Sequence, residues 1–203
     1  MIERLSRVAD RSVSRETFEK LEDYVALLRA EARRQNLISA PTLDNIWERH
    51  ILDSAQLVRF EPHAGASWCD VGSGAGLPGI VIACLAAGPV TLIEPRKLRV
   101  EFLHSVVESL GLTATVAACR AQQVTGTFDA ITARAVAPLP RLLEISLHLS
   151  TRKTVWALPR GRGAKVELAA ARRTWQGVFH VERSVSDPDS YILVGTGVRA
   201  KQR

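Results

Sequence analysis

The sequence predicts an α/β fold: a mainly parallel, doubly wound sheet of seven strands with an antiparallel last strand, preceded by a helical extension. Three observations predict it. From Ser67 onward, short apolar strands alternate with segments of helical periodicity. A glycine-rich turn, Gly72-Ser73-Gly74-Ala75-Gly76, directly follows the first of those strands. Residues 1–62 lack the alternation and carry helical spacing instead, which divides the chain into an N-terminal helical extension (1–62) and an α/β domain (63–203).

In the extension, Ser14 has the chemistry of an N-cap, with Glu16 in the first turn. Phe18, Leu21, Val25 and Leu28 then fall on one helical face, so a helix is predicted over about 14–35. Asn36-Leu37-Ile38-Ser39-Ala40-Pro41 breaks it. A second helix is predicted over about 44–60, with Ile46, Trp47, Ile51 and Ala55 on its apolar face. Trp68–Val71 is the first strand and Val90–Glu94 the second. A helix over Leu98–Leu110 follows, then a third strand over Thr113–Ala118. Phe128–Ala133 is the fourth strand, Leu139–Leu149 a helix, Lys153–Leu158 the fifth strand, and about 164–175 a helix. Strands over about 178–184 and 190–196 flank the turn Ser186-Asp187-Pro188-Asp189. In such a sheet the ligand lies at the carboxyl ends of the strands, beside the first βα turn.

Composition narrows the function classes. The 203 residues are 46% hydrophobic and 24% charged, enough for a core without staples. The longest apolar run, Ile80–Ala87, is too short to span a bilayer, and Met1-Ile2-Glu3-Arg4 opens no signal-peptide core. Cys69, Cys84 and Cys119 make no C-x-x-C pair, and His63, His104, His148 and His180 have no metal-ligand spacing. A cytoplasmic protein without a metal or disulfide framework is the expectation. The net charge of +6 is uneven: residues 151–203 hold eleven basic against four acidic residues, in Arg152-Lys153, Arg160-Gly161-Arg162, Arg172-Arg173 and the tail Arg199–Arg203. That field predicts a polyanionic partner, with nucleic acid first.

Asp70-Val71-Gly72-Ser73-Gly74-Ala75-Gly76-Leu77-Pro78-Gly79 carries the chemistry. Alternate glycines let the backbone turn out of a strand and lie against a ligand. Gly74–Gly79 matches the dinucleotide pattern G-x-G-x-x-G, with Glu94 at a suitable distance. Two features favour S-adenosylmethionine (SAM) over a dinucleotide. Asp70 would repel a pyrophosphate but suits a sulfonium and an ammonium. Gly72, Gly74 and Gly76 keep the register D-x-G-x-G-x-G against the strand. Glu94 can accept from two ribose hydroxyls under either reading.

Asn36-Leu37-Ile38-Ser39, Arg49-His50-Ile51-Leu52-Asp53-Ser54, the loop Asp70–Gly79 and Thr132-Ala133-Arg134-Ala135-Val136-Ala137 stand in this order along the chain. In these segments, across nearly its whole length, the chain resembles the bacterial small-subunit ribosomal RNA methyltransferase G family. The resemblance implies a class I, Rossmann-like methyltransferase fold and a cytoplasmic monomer. It also implies methyl transfer from SAM to N7 of a guanine in the 530 loop of 16S rRNA, nucleotide 527 in rRNA numbering. The partner would be the small ribosomal subunit or its assembly intermediate. The family's SAM contacts carry over to Gly72 and Leu77 in the loop, Ala121 and Gln122 after the third strand, and Arg134 after the fourth. Gln122 or Gln123 stands where the family often has an acid, and Arg160-Gly161 where it often has Lys-Gly.

Guanine N7 bears a lone pair and no proton, so its methylation needs no proton acceptor and rests on proximity and orientation. The chain fits this: no Asn-Pro-Pro-Tyr motif follows the fourth strand, and no Pro-Cys nucleophile occurs. Arg134 is the candidate to bind the SAM carboxylate, guanine O6 or a phosphate. Arg134 and His50 are the catalytic candidates; His50 and Asp53, at i and i+3 of a helix, are placed to line the substrate entrance or help close over SAM, or else to brace the extension against the core. Two other classes stay open. A nicotinamide-dependent oxidoreductase would need a hydride-site acid or base. A non-catalytic RNA-binding assembly factor would have no use for three close-approach glycines.

Overall fold

A computed structural model describes residues 1–35, 37–38 and 40–202. Asn36, Ser39 and Arg203, each part of a segment singled out above, lie outside the described residues. Seven strands form one sheet in the order β3-β2-β1-β4-β5-β7-β6. They are β1 (Trp68–Val71), β2 (Val90–Ile93), β3 (Ala114–Ala117), β4 (Phe128–Thr132), β5 (Ser150–Arg160), β6 (Trp175–Arg183) and β7 (Tyr191–Ala200). The β3-β2-β1-β4-β5 run is parallel, and β7 pairs antiparallel with both β5 and β6. The order reverses between β1, which continues outward to β2, and β4. That switch point opens the crevice in which doubly wound sheets bind ligands.

The period of two along the strands feeds two cores. Trp68, Val90, Leu92 and Ala130 face one side, while Cys69, Val71, Ile93, Ile131, Trp156 and Leu158 face the other. The second side is covered by α7 (Leu139–Ser146) and α8 (Ala164–Ala171). The first is covered by α5 (Gly79–Leu85), α6 (Lys97–Ser109) and the N-terminal helices. Leu5, Leu21, Tyr24, Leu28 and Ile51 of those helices join Ile80, Leu92 and Leu103 in one continuous cluster. The N-terminal helices thus share the domain's core, and through it they reach the site.

Most boundaries fall close to the predicted ones, and the differences have physical causes. α1 (Ile2–Ala9) is absent from the sequence reading, although Ile2, Leu5 and Ala9 have helical spacing and Leu5 and Ala9 are fully buried. The intervening charges mask so short a stripe. α2 (Arg15–Glu31) starts as predicted, with Ser14 Oγ accepting from Thr17 N at 3.1 Å, and frays into turns before 35. The predicted helix over 44–60 changes winding. After a short α3 (Ala40–Leu43), it is π-helical over Trp47–Leu52, makes one turn of α4 (Asp53–Ala55), and tightens to 3₁₀ over Gln56–Phe60. β6 starts before the predicted 178 and β7 runs past the predicted 196, where Gly177 and Gly197 interrupt the side-chain alternation. The Phe179 ring fills the space a side chain would need at Gly177 and at Gly195.

Candidate active site at the carboxyl ends of the strands

β1 delivers its chain straight into the glycine loop. Gly72, Gly74 and Gly76 all hold positive φ, at 70°, 58° and 93°. At Gly72 a Cβ would lie 2.7 Å from Val136 Cγ2, and at Gly76 it would lie 2.5 Å from Ile80 Cγ1. The alternate-glycine register is therefore required by backbone conformation at all three positions, and at Gly72 and Gly76 by close approach as well. Tyr24, from α2, is fully buried and donates its hydroxyl to Ala75 O at 2.9 Å, tying the extension to the loop. The sequence reading passed over Tyr24, though it lies three residues after Leu21 and four before Leu28, on the face already identified as apolar.

Asp70 and Glu94 stiffen the loop from below and from the side. Asp70 is 1% exposed; its Oδ2 accepts Gly79 N at 3.0 Å at the start of α5, and its Oδ1 has no partner among the described residues. Burial pushes its carboxyl up to about 6, partly opposed by the Gly79 hydrogen bond and the Arg134 charge, while Ser73 Oγ donates to the Asp70 main-chain oxygen at 3.0 Å. Asp70 thus sits under the loop as an anchor rather than on its open side. Glu94 accepts Gly74 N at 2.9 Å through Oε2 and Arg96 N at 2.9 Å through Oε1, with Arg99 3.8 Å away. Its carboxylate is thereby placed one residue past β2, beside the loop.

Between loop and sheet edge lies a mostly apolar cavity of about 270 Å³, lined by Gly72, Ile93, Pro95, Ala121, Gln122 and Val136 among others. It brings together loop, second-strand end and third-strand end, as the sequence reading requires. Leu77, 5% exposed, packs in the core behind the loop, and its bond to Pro78 is cis. The set fits SAM: a backbone cradle at Gly72, an open Gly74 whose added Cβ meets nothing nearer than 3.6 Å, a carboxylate at Glu94 and an apolar slot.

Arg134 follows β4 on the segment Ala133–Ala137, where Ala135 holds a left-handed φ of 55°. Such a conformation in a non-glycine residue is strained and clusters at functional sites. The Arg134 guanidinium lies 3.5 Å from Asp53 Oδ2. Asp53 Oδ1 in turn accepts from Gln56 Nε2 at 2.9 Å and Ser186 Oγ at 2.7 Å. The α4 turn and the β6–β7 hairpin thus converge behind Arg134. His50 lines the same recess of about 200 Å³ with Arg134, Asp53 and Asp187. Both its ring nitrogens are buried without a hydrogen-bond partner among the described residues. Burial, with the Arg134 and Arg49 charges, pushes it down to about 4, so the ring is neutral at pH 7. A larger cavity of about 530 Å³, lined by Arg134, Ala135, Val136, Arg160, Glu167 and Tyr191 among others, opens beside it.

The cationic clusters do not share one surface. Arg160 pairs in register with Tyr191, and Arg183 does too, at the site end of the sheet. Trp175, just after Arg172-Arg173, pairs with Ala200 at the opposite end. The sequence grouped charges that the strand direction separates. Among the described residues no set of His, Cys, Asp and Glu is arranged to hold a metal ion, and no helix is long and apolar enough to cross a membrane.

The family described as rRNA small subunit methyltransferase G (GidB) matches residues 17–187. A protein of Zymomonas mobilis named ribosomal RNA small subunit methyltransferase G is 44% identical over 200 residues, covering 94% of this chain and 90% of that one. A protein of the same name from Sphingopyxis alaskensis is 47% identical over 187 residues, covering 91% and 80%. In architecture the chain is similar to a SAM-dependent methyltransferase from Aquifex aeolicus, with a TM-score of 0.61 at 16% identity, covering 75% of this chain and 93% of that one. The seven-stranded sheet is the class I methyltransferase fold.

Proposed function

Because the chain belongs to the rRNA small subunit methyltransferase G family, we propose that it methylates N7 of a guanine in the 530 loop of 16S rRNA, with SAM as methyl donor. One observation carries the reading: the glycine cradle, the Glu94 carboxylate, the apolar slot and Arg134 meet at the switch point of the sheet. When bound, SAM supplies a methyl group made electrophilic by its sulfonium.

The chain's own residues would then bind and orient. Gly72 and Gly74 bring backbone against the ligand, and Glu94 accepts from ribose hydroxyls. Ala121 and Gln122 close on the adenine, with the Gln122 amide for its edge. Asp70 holds the start of α5 against the loop, and Gly76 and Leu77 set the loop's path. Arg134, steadied by Asp53, donates to an anionic or carbonyl oxygen of cofactor or RNA. His50 lines the entrance as a neutral ring. Nothing here must take a proton, since N7 bears none, and the rate gain comes from alignment. The protein acts as a cytoplasmic monomer on rRNA in the small subunit or its assembly intermediate, and the target base must leave its stack to reach the site.

The test is methyl transfer from labelled SAM to small subunits of cells lacking this protein, with the modified nucleotide mapped. Label at a guanine N7 in the 530 loop is expected. Label on another atom or base refutes the assignment of the target, and no SAM binding refutes the cofactor.

A further inference from the structure

The cavity of about 530 Å³ beyond β4 and β5 holds two charged groups that the cofactor side does not use. Arg160, the last residue of β5, is 8% exposed, and its Nε and Nη2 have no hydrogen-bond partner among the described residues. Its Nη1 reaches only main-chain oxygens, of Pro159 at 3.3 Å and Ala133 at 3.5 Å. Glu167, in the first turn of α8, stands 3.5 Å from Arg160 Nε through Oε2, without hydrogen-bond alignment. That oxygen accepts Leu139 N at 3.1 Å, which fixes the carboxylate, while Oε1 takes no hydrogen bond from a described residue. A buried guanidinium with unmet N–H groups is unfavourable by itself. A ligand offering an acceptor beside a donor is what this pair lacks.

We propose that this cavity receives the target base, and that Arg160 and Glu167 read the Watson–Crick edge of guanine. Arg160 donates to O6, and Glu167 accepts from N1–H and the 2-amino group. The inference rests on the reading of the protein as an rRNA guanine methyltransferase and supplies the selectivity that reading needs. Guanine alone among the RNA bases sets a carbonyl acceptor next to two donors on that edge. Adenine turns its 6-amino donor toward the arginine. Uracil and cytosine turn their O2 acceptor toward the carboxylate, where it repels. An extruded base read on this edge keeps N7, on the other edge, free to react. Val136 lines both this cavity and the apolar slot by the glycine loop, so base and cofactor meet across one short segment.

The experiment crosses protein and base changes. Single-turnover methyl transfer is measured on small subunits reconstituted with guanine, inosine or 2-aminopurine at the target position. Inosine keeps N7 and O6 but lacks the 2-amino group; 2-aminopurine lacks O6 and N1–H. The unaltered protein should lose about tenfold or more on inosine, as expected when a charged acceptor loses its donor. Glu167→Gln should be slower on guanine yet discriminate guanine from inosine by less than about threefold. Arg160→Met should likewise lose its preference over 2-aminopurine, with SAM affinity unchanged in both variants as the check of folding. Variants that slow transfer equally on all three bases overturn the proposal, because a merely structural pair would do that. Failure of the unaltered protein on guanine itself overturns the parent reading, and this one with it.

Discussion

At the scale of single residues, Arg134 is the electrostatic centre of the site. Its charge bears on His50, Asp70 and Tyr24, and Asp53 holds it in place. Arg134→Ala should leave the fold intact, since the ion pair is at the rim of a cavity, and should lower methyl transfer by about a hundredfold or more. Normal turnover by this variant in a labelled-SAM assay would remove Arg134 from the site. Asp70 gives a pH signature. Its carboxyl is raised to about 6 by burial, so the folded state holds a proton that the unfolded chain releases near 4. Its contribution to stability is therefore full below about 4 and declines as pH rises to about 6, by at most about 3 kcal/mol. Asp70→Asn keeps an acceptor for Gly79 N and should abolish that part of the slope in urea melts at pH 4 to 7. An unchanged slope would mean that Asp70 does not titrate there. His50 acts in the opposite sense: a folded value near 4, below its usual range, makes stability rise with pH between about 4 and 6.5.

At the scale of elements, the β6–β7 hairpin is fastened to the winding helix that ends the extension. Gln56 is 1% exposed; it accepts Val185 N at 2.9 Å and donates to Ser184 Oγ at 2.9 Å and to Asp53. Gln56→Ala leaves buried groups on both elements unmet, at a cost of about 1–3 kcal/mol. It should also raise amide exchange at Val185 and loosen Arg134 through Asp53. Exchange unchanged at Val185 would show the hairpin held by other contacts. This tie was not legible in the sequence, because it joins Asp53 and Gln56 to Ser184 and Ser186, more than a hundred positions apart. What was legible had local physics behind it: period-two strands, the N-cap at Ser14, and glycines whose backbone is left-handed at each alternate position. The change to π and 3₁₀ winding after Ile46 left no mark in the spacing. Glu167 was invisible as a site residue, since only the fold brings α8 beside the end of β5.

At the scale of the molecule, strand direction decides which charges can meet RNA. Arg162 and Arg183 lie at the site end of the sheet, and Arg172 and Arg173 at the other. Neutralising Arg162 and Arg183 should lower affinity for small-subunit rRNA and reduce the salt slope by about one per lost phosphate contact. Neutralising Arg172 and Arg173 should leave the slope unchanged; the reverse result would place the RNA on the far end. The arrangement, with the glycine cradle and the larger cavity sharing Val136 and a neutral His50 in the recess behind Arg134, suits a reaction that works by alignment. Its most direct test is the pH dependence of single-turnover methyl transfer to small-subunit rRNA, measured for the unaltered protein and His50→Gln. A rate that is flat from about pH 6.5 to 8 is expected in both, because Asp70 and His50 titrate at or below about 6 and N7 needs no proton removed. A rate that climbs with an apparent pKa in that interval, and loses the climb in His50→Gln, would mean that a side chain takes a proton during transfer, and would contradict catalysis by alignment.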